Sequence, residues 1–335
     1  KKSIMNILVT GACGFIGSHL VEKLVKQNHK VKAFVFYNSK NSGGWLENID
    51  KKILKNIEIV SGDIRDYEFV YQQTKKIDTI FHLAALIGIP YSYKAAQSYI
   101  DTNISGTYNI LNAAKSNNVS KIIVTSTSEV YGTAQKVPIE ETHRLNAQSP
   151  YAASKIAADQ LALSFNKSYG LPVTVIRPFN TFGPRQSARA IIPTIITQLL
   201  SKKKEIQLGN LKPTRDFTYV EDTADAFIKT LKRKNLSGET INIGNNFEIS
   251  IKDILKIMKK DLGYKFKIKL DKRRLRNTNS EVFRLLASTK KAKKLLDWEP
   301  KHAGLNGFKK NLKKTILWFS DPKNLKEYNS SIYSI

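Results

Sequence analysis

The amino-acid sequence predicts a doubly wound, parallel α/β fold with a smaller second α/β lobe, and two observations lead to that prediction. Short apolar runs alternate with segments of helical periodicity through about residue 180, which is typical of a parallel sheet covered on both faces. A glycine-rich turn follows the first apolar run, where such a fold begins its first helix. The chain has 335 residues, 41% of them hydrophobic, which suffices for two moderate domains. We expect the sheet domain over residues 1–180 and mainly the second lobe over 181–335, with some chain crossing back to the sheet.

The individual elements follow from the boundaries of these runs. Apolar runs that end at Gly, Asn, Asp or Pro are predicted to be buried strands, and the segments between them are predicted to be helices. In the first domain the strands are expected at 4–9, 31–36, 57–60, 79–83, 121–125 and 173–177, and helices at 15–26, 100–114 and 152–165. In the second lobe we expect helices at 191–202, 250–261 and 306–318, and strands at 206–208, 217–220 and 240–243.

Charge and cysteine content restrict the possible partners. Lys and Arg number 55 against 28 Asp and Glu, a formal net charge of +27, but the basic residues are scattered in short groups without a nucleic-acid-binding module. They are therefore predicted to be solvated, with no nucleic-acid partner. The longest apolar run, 191–200, is too short to cross a membrane. One cysteine excludes an intramolecular disulfide and a thiolate zinc site, so we expect a cytoplasmic protein with no metal.

The glycine-rich turn indicates a dinucleotide site. Its spacing is G-x-x-G-x-x-G, formed by Gly11, Gly14 and Gly17 between the first predicted strand and the first helix. Gly11 can form the tight turn, Gly14 can let backbone N–H groups approach a pyrophosphate, and Gly17 can let the helix pack closely. Phe15 and Ile16 complete the turn, at a helix N-terminus that favours an anion. A Rossmann-type domain that binds NAD is therefore predicted, and NADP stays possible.

Other cofactor contacts are predicted at the ends of the strands. The second strand lacks the acid that usually binds the ribose 2′-hydroxyl, so Asn38 is the candidate there, and Lys40 could pair with a 2′-phosphate. Asp63 could accept a hydrogen bond from an adenine amino group, although a solvated turn aspartate is equally consistent with the sequence. The remaining predicted cofactor contacts are Ile64, Leu83, Ala84, Ala85, Thr125 and Pro178.

A catalytic pair is predicted on the helix that begins near residue 151. Tyr151 and Lys155 are four residues apart, so their side chains share one helix face. A charge at ~4 Å is worth ~4 kcal/mol at an effective dielectric of ~20, enough to move a phenol pKa from ~10 towards ~7. Tyr151 is therefore a candidate general base, and Lys155 can also hold the nicotinamide ribose. Thr127, Ser128 and Glu129 follow the fifth predicted strand, at the sheet edge where ligands bind.

Four motifs resemble one enzyme family over nearly the whole chain. They are the glycine turn, Thr127-Ser128-Glu129-Val130-Tyr131-Gly132, Tyr151-x-x-x-Lys155, and the run 177–185, Arg-Pro-Phe-Asn-Thr-Phe-Gly-Pro-Arg. Together they resemble the extended short-chain dehydrogenase/reductase family that acts on nucleotide sugars. Segments 87–93, 186–193 and 213–217 look most similar to the bacterial 4,6-dehydratases of N-acetylglucosamine nucleotides in legionaminic acid synthesis. Because relatives commonly pair through two helices per subunit, the resemblance also implies a homodimer.

The resemblance implies a reaction without net redox change. Tyr151 would remove the 4-hydroxyl proton while hydride leaves C4 for NAD(P), with Thr127 hydrogen-bonded to the new carbonyl. Glu129 would take the C5 proton and deliver it to the departing C6 oxygen, and hydride would return to C6, which gives a 4-keto-6-deoxy sugar. Ser128 stands where glucose-nucleotide dehydratases carry an Asp, and it is too weak an acid to protonate the leaving group.

Three other functions stay open at this point. UDP-glucuronate decarboxylases carry a similar Thr-Ser-Glu-Val-Tyr-Gly run, and a 4-epimerase would need Tyr151 and Thr127 but no carboxylate at C5. A basic NAD-binding regulatory or RNA-binding protein on the same scaffold is the non-enzyme alternative. The intact set of Thr127, Glu129, Tyr151 and Lys155 argues against that alternative.

The resemblance also assigns substrate contacts. Asn180, Arg185, Arg215 and Arg276 match positions where the family binds the diphosphate of a nucleotide sugar. Arginine suits this role because its planar fork can bind a phosphate through two hydrogen bonds. Arg284 is an alternative to Arg276, since the sequence around Arg276 differs from the expected Arg-Pro pattern.

Overall fold

The strands follow the apolar runs closely. The structure is a computed structural model that describes residues 4–201 and 205–328. Its strands are β1 (Asn6–Thr10), β2 (Lys30–Phe36), β3 (Ile57–Gly62), β4 (Thr79–His82), β5 (Lys121–Thr125), β6 (Val173–Pro178), β7 (Asn180–Phe182), β8 (Glu205–Leu208), β9 (Thr214–Tyr219), β10 (Thr240–Ile243), β11 (Glu248–Ser250), β12 (Lys267–Leu270) and β13 (Arg284–Leu285).

The helices connect and cover these strands. They are α1 (Phe15–Lys26), α2 (Lys51–Leu54), α3 (Tyr67–Gln73), α4 (Ile89–Ser92), α5 (Ala96–Tyr99), α6 (Gly106–Ser116), α7 (Pro150–Tyr169), α8 (Ile191–Leu200), α9 (Val220–Leu231), α10 (Ile251–Lys260), α11 (Lys290–Leu296), α12 (Gly304–Ser320) and α13 (Pro322–Leu325). The predicted end of α8 at residue 202 lies outside the described residues. Across 4–201 and 205–328, no helix is both long and apolar enough to cross a membrane.

Seven parallel strands form the main sheet, in the order β10-β6-β5-β4-β1-β2-β3. The chain winds outward from β1 to β3, returns to β4 on the other side of β1, and continues to β6 and β10. The apolar side chains of α1 and α9 pack on one face of the sheet, and those of α6 and α7 pack on the other. The predicted doubly wound parallel fold is confirmed. Ligands bind such a sheet at the carboxyl ends of its strands, where the connections diverge from β1 and β4.

The second lobe is built on two small sheets. One has the order β11-β9-β13 with β7 paired to β9, and the other pairs β8 with β12. A separate apolar core, which includes Phe182, Ile195, Phe217, Met258 and Phe308, joins these strands to α8, α10 and α12. Strand β10 adds to the seven-stranded sheet beside β6, so the chain after residue 181 contributes to both parts of the molecule.

The predicted helix at 100–114 differs from the structure in its first turns. Residues Ile100–Ser105 form a π-helix, and the α-helix begins only at Gly106. Within this turn the Asn103 side chain accepts a hydrogen bond from Leu86 N (2.8 Å) and donates to Leu86 O (2.9 Å). π-turns of this kind are common near functional sites. Asn103 also donates to Ser154 Oγ at 2.9 Å, which connects this turn to α7.

Candidate active site

The glycine turn leaves no room for side chains on its inner surface. Gly11 has a φ of +66°, and a Cβ there would lie 2.8 Å from Ala84 N. A Cβ on Gly17 would lie 2.2 Å from Gly11 O, so close packing of α1 requires glycine at that position. A Cβ on Gly14 would approach only Gly11 O, at 3.2 Å, so Gly14 borders open space. Phe15 and Ile16 follow as the first residues of α1. This cradle fits the pyrophosphate of a dinucleotide.

A buried hydrogen-bond chain supports the turn from below. Thr10 Oγ1 accepts from Leu83 N and Ala84 N, both at 3.1 Å, and lies 2.8 Å from His82 Nδ1. His82 Nε2 lies 3.0 Å from Thr107 Oγ1, whose proton goes to Asn103 O at 2.6 Å. Thr107 therefore accepts from His82 Nε2–H. Because Thr10 Oγ1 already accepts two N–H groups, its own proton goes to His82 Nδ1, so the imidazole is neutral, with its proton on Nε2. Burial, followed by the nearby Lys155 charge, lowers the pKa of His82 to about 3.

Sequence analysis did not predict this chain of hydrogen bonds, although Thr10 directly precedes Gly11 and His82 directly precedes Leu83. Leu83, Ala84 and Ala85 are half-buried beside the turn, as residues that contact a cofactor would be. The positions of Leu83 and Ala84 are fixed by the bonds from their N–H groups to Thr10.

Two of the predicted cofactor contacts, Asn38 and Ile64, also make contacts within the protein. The Asn38 amide accepts from Ser42 N (3.0 Å) and donates to Phe36 O and Ser42 O, so it closes its own loop instead of presenting a free group to a ribose. The Ile64 side chain would contact any Cβ added to Gly106, and its carbonyl accepts from Asn109. These contacts do not test cofactor binding, so Asn38 and Ile64 stay predicted cofactor contacts.

Asp63 is also bound locally. Both of its oxygens accept from the Arg65 guanidinium, with an Nε distance of 3.0 Å to each, and Arg65 N donates to Oδ1. The hydrogen bond from Arg65 lowers the pKa of Asp63. Asp63 is therefore ionised, and a contact with adenine would have to share its oxygens with Arg65.

Three predicted catalytic residues converge at the ends of β5 and α7. Thr127 accepts from Glu129 N at 3.2 Å and thereby starts a short 3₁₀ turn over Ser128–Tyr131. Glu129 is 8% exposed and Ser128 is 2% exposed, so both side chains point into the protein. Tyr151 occupies the first turn of α7, whose cap Ser149 accepts from Ala152 N at 3.1 Å. The Tyr151 phenol interacts with both Thr127 and the Glu129 charge.

The expected effect of Lys155 on Tyr151 is not found. Burial raises the pKa of Tyr151 well above its usual range; interaction with Thr127 lowers it, and the Glu129 charge raises it further. Lys155 Nζ instead donates to Thr125 O at 2.6 Å, and burial lowers the pKa of Lys155 while the Asp159 carboxylate raises it. The prediction of a lowered phenol pKa was wrong for this structure because desolvation of a buried phenol outweighs a lysine that is bound elsewhere.

A second buried network lies beneath these residues. Asp159 Oδ2 accepts from Ser126 Oγ (2.7 Å) and Arg177 Nε (3.1 Å), and Arg177 also donates to Tyr131 OH at 2.9 Å. Tyr131 OH in turn donates to Asn242 Oδ1 at 2.7 Å. The network joins the ends of β5 and β6, α7 and β10 to Tyr131, the last residue of the 3₁₀ turn that carries Glu129. Sequence analysis did not predict Asp159, although it follows Lys155 by four residues and therefore shares its helix face.

Arg215 of the second lobe lies within electrostatic reach of Glu129, and Arg276 lies near Arg215. Arg215 is 7% exposed, and its pKa is lowered by burial and raised by the Glu129 charge. Arg215 and Arg276 share Glu281, at 3.9 and 3.8 Å, distances too long for strong hydrogen bonds. Arg276 Nη1 is buried without a hydrogen-bond partner. A buried guanidinium at Arg215 beside a half-buried one with an unused donor at Arg276 is suited to binding an anion such as a diphosphate.

The other predicted substrate residues have different surroundings. Asn180, at the start of β7 after the buried Pro178, has a buried Oδ1 without a hydrogen-bond partner. Arg185 instead pairs with Glu22 of α1, at 3.1 and 3.3 Å, so its fork is already occupied. Arg284 is exposed and paired with Glu248, which favours Arg276 of the two alternatives.

A parallel sheet with this glycine turn, and with a Tyr and Lys beside a Thr and a Glu, defines an enzyme of the extended short-chain dehydrogenase/reductase class. The family model described as GDP-mannose 4,6 dehydratase matches residues 8–310. The chain therefore belongs to the GDP-mannose 4,6-dehydratase family of nucleotide-sugar enzymes.

Relatives in this family catalyse different reactions. Human dTDP-D-glucose 4,6-dehydratase is 33% identical, over 94% of this chain and 90% of the human protein. A UDP-N-acetyl-alpha-D-glucosaminuronate decarboxylase of Bacillus cytotoxicus is 37% identical, over 74% of this chain and 77% of that protein. The solved UDP-glucuronic acid 4-epimerase of Bacillus cereus, in complex with UDP-glucuronic acid and NAD, is 29% identical with a TM-score of 0.84, and the match covers 97% of this chain and 100% of that one.

Proposed function

We propose that the protein is a nucleotide-sugar 4,6-dehydratase that converts UDP- or GDP-N-acetylglucosamine to the 4-keto-6-deoxy sugar, the type of reaction used in legionaminic acid synthesis. The observation that carries this proposal is the buried Glu129, which lies within electrostatic reach of both Tyr151 and Arg215. Elimination across C5 and C6 needs a carboxylate that removes the C5 proton, whereas epimerisation at C4 does not.

The cofactor proposed for this chain is NAD. When bound, NAD would supply the hydride acceptor and donor for a reaction without net redox change. The residues that would hold it are the glycine turn (Gly11, Gly14, Phe15, Ile16 and Gly17), Leu83, Ala84 and Ala85, Thr125 and Pro178 at the strand ends, and Lys155. The cradle at Gly14 and the N–H groups fixed by Thr10 support this assignment.

The side chains in the site can account for the proton transfers at the 4-hydroxyl group, at C5 and at the C6 oxygen. Tyr151 holds its proton strongly in the free protein, so it can accept the 4-hydroxyl proton only when substrate and cofactor change its surroundings. Thr127, beside the phenol, can hydrogen-bond the C4 oxygen. Glu129 can take the C5 proton and pass it to the C6 oxygen, because Ser128 cannot act as an acid there.

The nucleotide diphosphate is proposed to bind in the second lobe. Arg215 and Arg276 supply the positive charge, and Asn180 supplies an unused amide group. Glu281 holds the two guanidinium groups near each other despite their repulsion. Arg185 would serve the diphosphate only after release from Glu22, so its proposed role in binding is secondary.

A second candidate reaction is decarboxylation of a UDP-hexuronate. The relative from Bacillus cytotoxicus favours it, since that protein is 37% identical and is named as a decarboxylase. The two reactions differ at C6, where one substrate has a hydroxyl and the other a carboxylate. A 4-epimerase is the third candidate, and it would leave the C6 group of its substrate unchanged.

We also propose that the protein is a cytoplasmic homodimer. Helices α6 and α7 carry an outward aromatic group in which Tyr108 is 45% exposed and Tyr169 is 59% exposed, with Phe165 between them. This face matches the two-helix pairing that the family resemblance implies. In light scattering we expect the mass of a dimer for the wild type and the mass of a monomer for Tyr108→Asp. A wild-type monomer would contradict the proposal.

Incubation with a panel of UDP-, GDP- and dTDP-sugars, followed by mass spectrometry, tests the function. Dehydration removes water, decarboxylation removes carbon dioxide, and epimerisation leaves the mass unchanged while it alters sugar stereochemistry. We expect loss of water from an N-acetylglucosamine nucleotide. Loss of carbon dioxide from UDP-glucuronate, or no mass loss with any sugar, would reject the proposed reaction.

A further inference from the structure

The segment 276–281 carries two groups of the proposed diphosphate site yet has little regular structure. It contains Arg276 and Glu281, which face Arg215, and only the short 3₁₀ turn Thr278–Ser280 lies between them. Part of the segment borders a cavity of about 800 Å³ instead of packing on an apolar core, because Asn277, Asn279 and Ser280 line that cavity. Hydrogen bonds must therefore fix this part of the segment.

Most of those hydrogen bonds come from one residue, Gln148. Its Nε2 donates to Asn279 O at 3.1 Å and to Glu281 O at 3.2 Å. Its main-chain carbonyl accepts from the Ser280 hydroxyl, which also lies 2.6 Å from Tyr93 OH. Its Oε1 accepts from Thr133 N at 2.5 Å, which holds the amide in the orientation that presents Nε2 to the segment.

The position of Gln148 connects this segment to the catalytic helix. Gln148 precedes Ser149, the cap of α7, and lies three residues before Tyr151. Thr133 follows the turn that carries Glu129, so the same side chain is anchored to both catalytic segments. A displacement of Gln148 would therefore move Arg276 and Glu281 relative to Tyr151.

We infer that Gln148 is a positioning residue for the diphosphate: its Nε2 holds the segment 276–281 so that Arg276 lies beside Arg215 at a set distance from Tyr151 and Glu129. The inference rests on the proposed function, because it assumes a nucleoside diphosphate between the arginines. It adds a residue that touches neither the reacting atoms nor the phosphate.

Two substitutions separate this role from a merely structural one. Gln148→Leu removes the side-chain contacts with Thr133 N, Asn279 O and Glu281 O, and keeps the main-chain acceptor for Ser280. Gln148→Glu keeps an acceptor for Thr133 N but places carboxylate oxygens against the carbonyls of Asn279 and Glu281. Gln135→Leu and Gln135→Glu are matched controls, since Gln135 is exposed on the same connection and the charge changes are equal.

The measurements are the dissociation constant of UDP by calorimetry, hydrogen exchange of the 276–281 amides, NAD content and the thermal midpoint. For both Gln148 variants we expect UDP binding weaker by about tenfold, in line with lost or reversed hydrogen bonds, and faster exchange in 276–281. NAD content should stay as in the wild type. On the proposed substrate, KM should rise by a similar factor while kcat changes less than about twofold.

Distinct outcomes would overturn the inference. Wild-type UDP affinity in Gln148→Glu would show that the Thr133 contact alone matters, and unchanged exchange in 276–281 would show that Gln148 does not hold the segment. If UDP, GDP and dTDP all fail to bind the wild type, the proposed function falls and this inference falls with it. If the wild type binds one of them and both variants bind it equally well, only the inference is rejected.

Discussion

Glu129 is the candidate base for the C5 proton in the proposed dehydration. We expect Glu129→Gln to lower the rate of dehydration about 10²–10⁴-fold, the usual contribution of a general base, because the amide cannot accept the C5 proton. Exchange of the substrate C5 hydrogen with solvent deuterium should fall in parallel, measured by mass spectrometry. Glu140→Gln, an exposed carboxylate on the connection that follows, is the control and should retain full activity. Undiminished dehydration by Glu129→Gln would exclude Glu129 as the base.

His82 makes a prediction about acid stability. Its folded pKa of about 3 lies below the unfolded value near 6.5, so the unfolded chain binds an extra proton between these limits. Stability attributable to His82 is therefore full above pH ~6.5 and is lost as pH falls towards ~3, by at most ~1.4 kcal/mol per pH unit. His82→Gln should flatten this slope of unfolding free energy, measured by urea denaturation. The difference in unfolding free energy between wild type and variant at about pH 8, where histidine is neutral in both states, is the reference for the differences at lower pH. Parallel slopes would contradict the assignment.

At the level of residues, the sequence predicted which side chains form the candidate site better than it predicted their hydrogen-bond and ion-pair partners. Spacing alone placed Tyr151 and Lys155 on one helix, and the structure brings Thr127 and Glu129 to the same phenol. The partner of each charge was not predictable, because it depends on chain segments far apart in sequence. Arg185 meets Glu22 across 163 residues, and Lys155 meets the carbonyl of Thr125 across 30.

At the level of elements, strands were predicted best where apolar runs end at turn residues. The strand over 121–125 and the helix over 15–26 have the predicted bounds, and β10 matches residues 240–243. The π-turn at Ile100–Ser105 was not predictable, because it depends on Asn103 contacts with Leu86 and Ser154. The short strands β7, β11 and β13 carry too few residues for a periodic signal.

Gly11 in the glycine turn and Gly170 at the end of α7 distinguish two costs of a side chain: a strained left-handed backbone and a clash of the added Cβ with neighbouring atoms. Gly11 and Gly170 have nearly equal φ angles, +66° and +67°, but a Cβ would meet Ala84 N at 2.8 Å in the first and nothing within 4 Å in the second. Gly170→Ala should cost about 1–2 kcal/mol of stability, the cost of a left-handed conformation, and leave NAD content unchanged. Gly11→Ala should cost more and also reduce NAD content, measured by absorbance after denaturation. Equal NAD content in both variants would show that the glycine turn does not take part in cofactor binding.

At the level of the whole molecule, the net charge of +27 exceeds what the site uses. Within the described part of the chain, many cations pair with surface carboxylates, such as Lys291 with Glu239 and Lys293 with Glu299. Exposed pairs of this kind contribute little to stability. The proposed ligands need only a few basic groups, among them Lys155, Arg215 and Arg276. Most of the excess should therefore act as solvated surface.

A matched set of charge deletions tests this division between solvated and functional cations. Lys310→Gln and Lys313→Gln remove exposed charges on α12, and Arg276→Gln removes one charge from the proposed diphosphate site. The lysine variants should keep kcat/KM within about twofold and unfolding free energy within ~0.5 kcal/mol, as usual for surface substitutions. Arg276→Gln should lower kcat/KM about 10–100-fold, because a charge-assisted hydrogen bond is worth ~1.5–3 kcal/mol. Since each single variant changes the net charge equally, a general field effect would reduce all three activities alike. Equal losses would show that the overall charge, and not the local guanidinium, attracts the substrate.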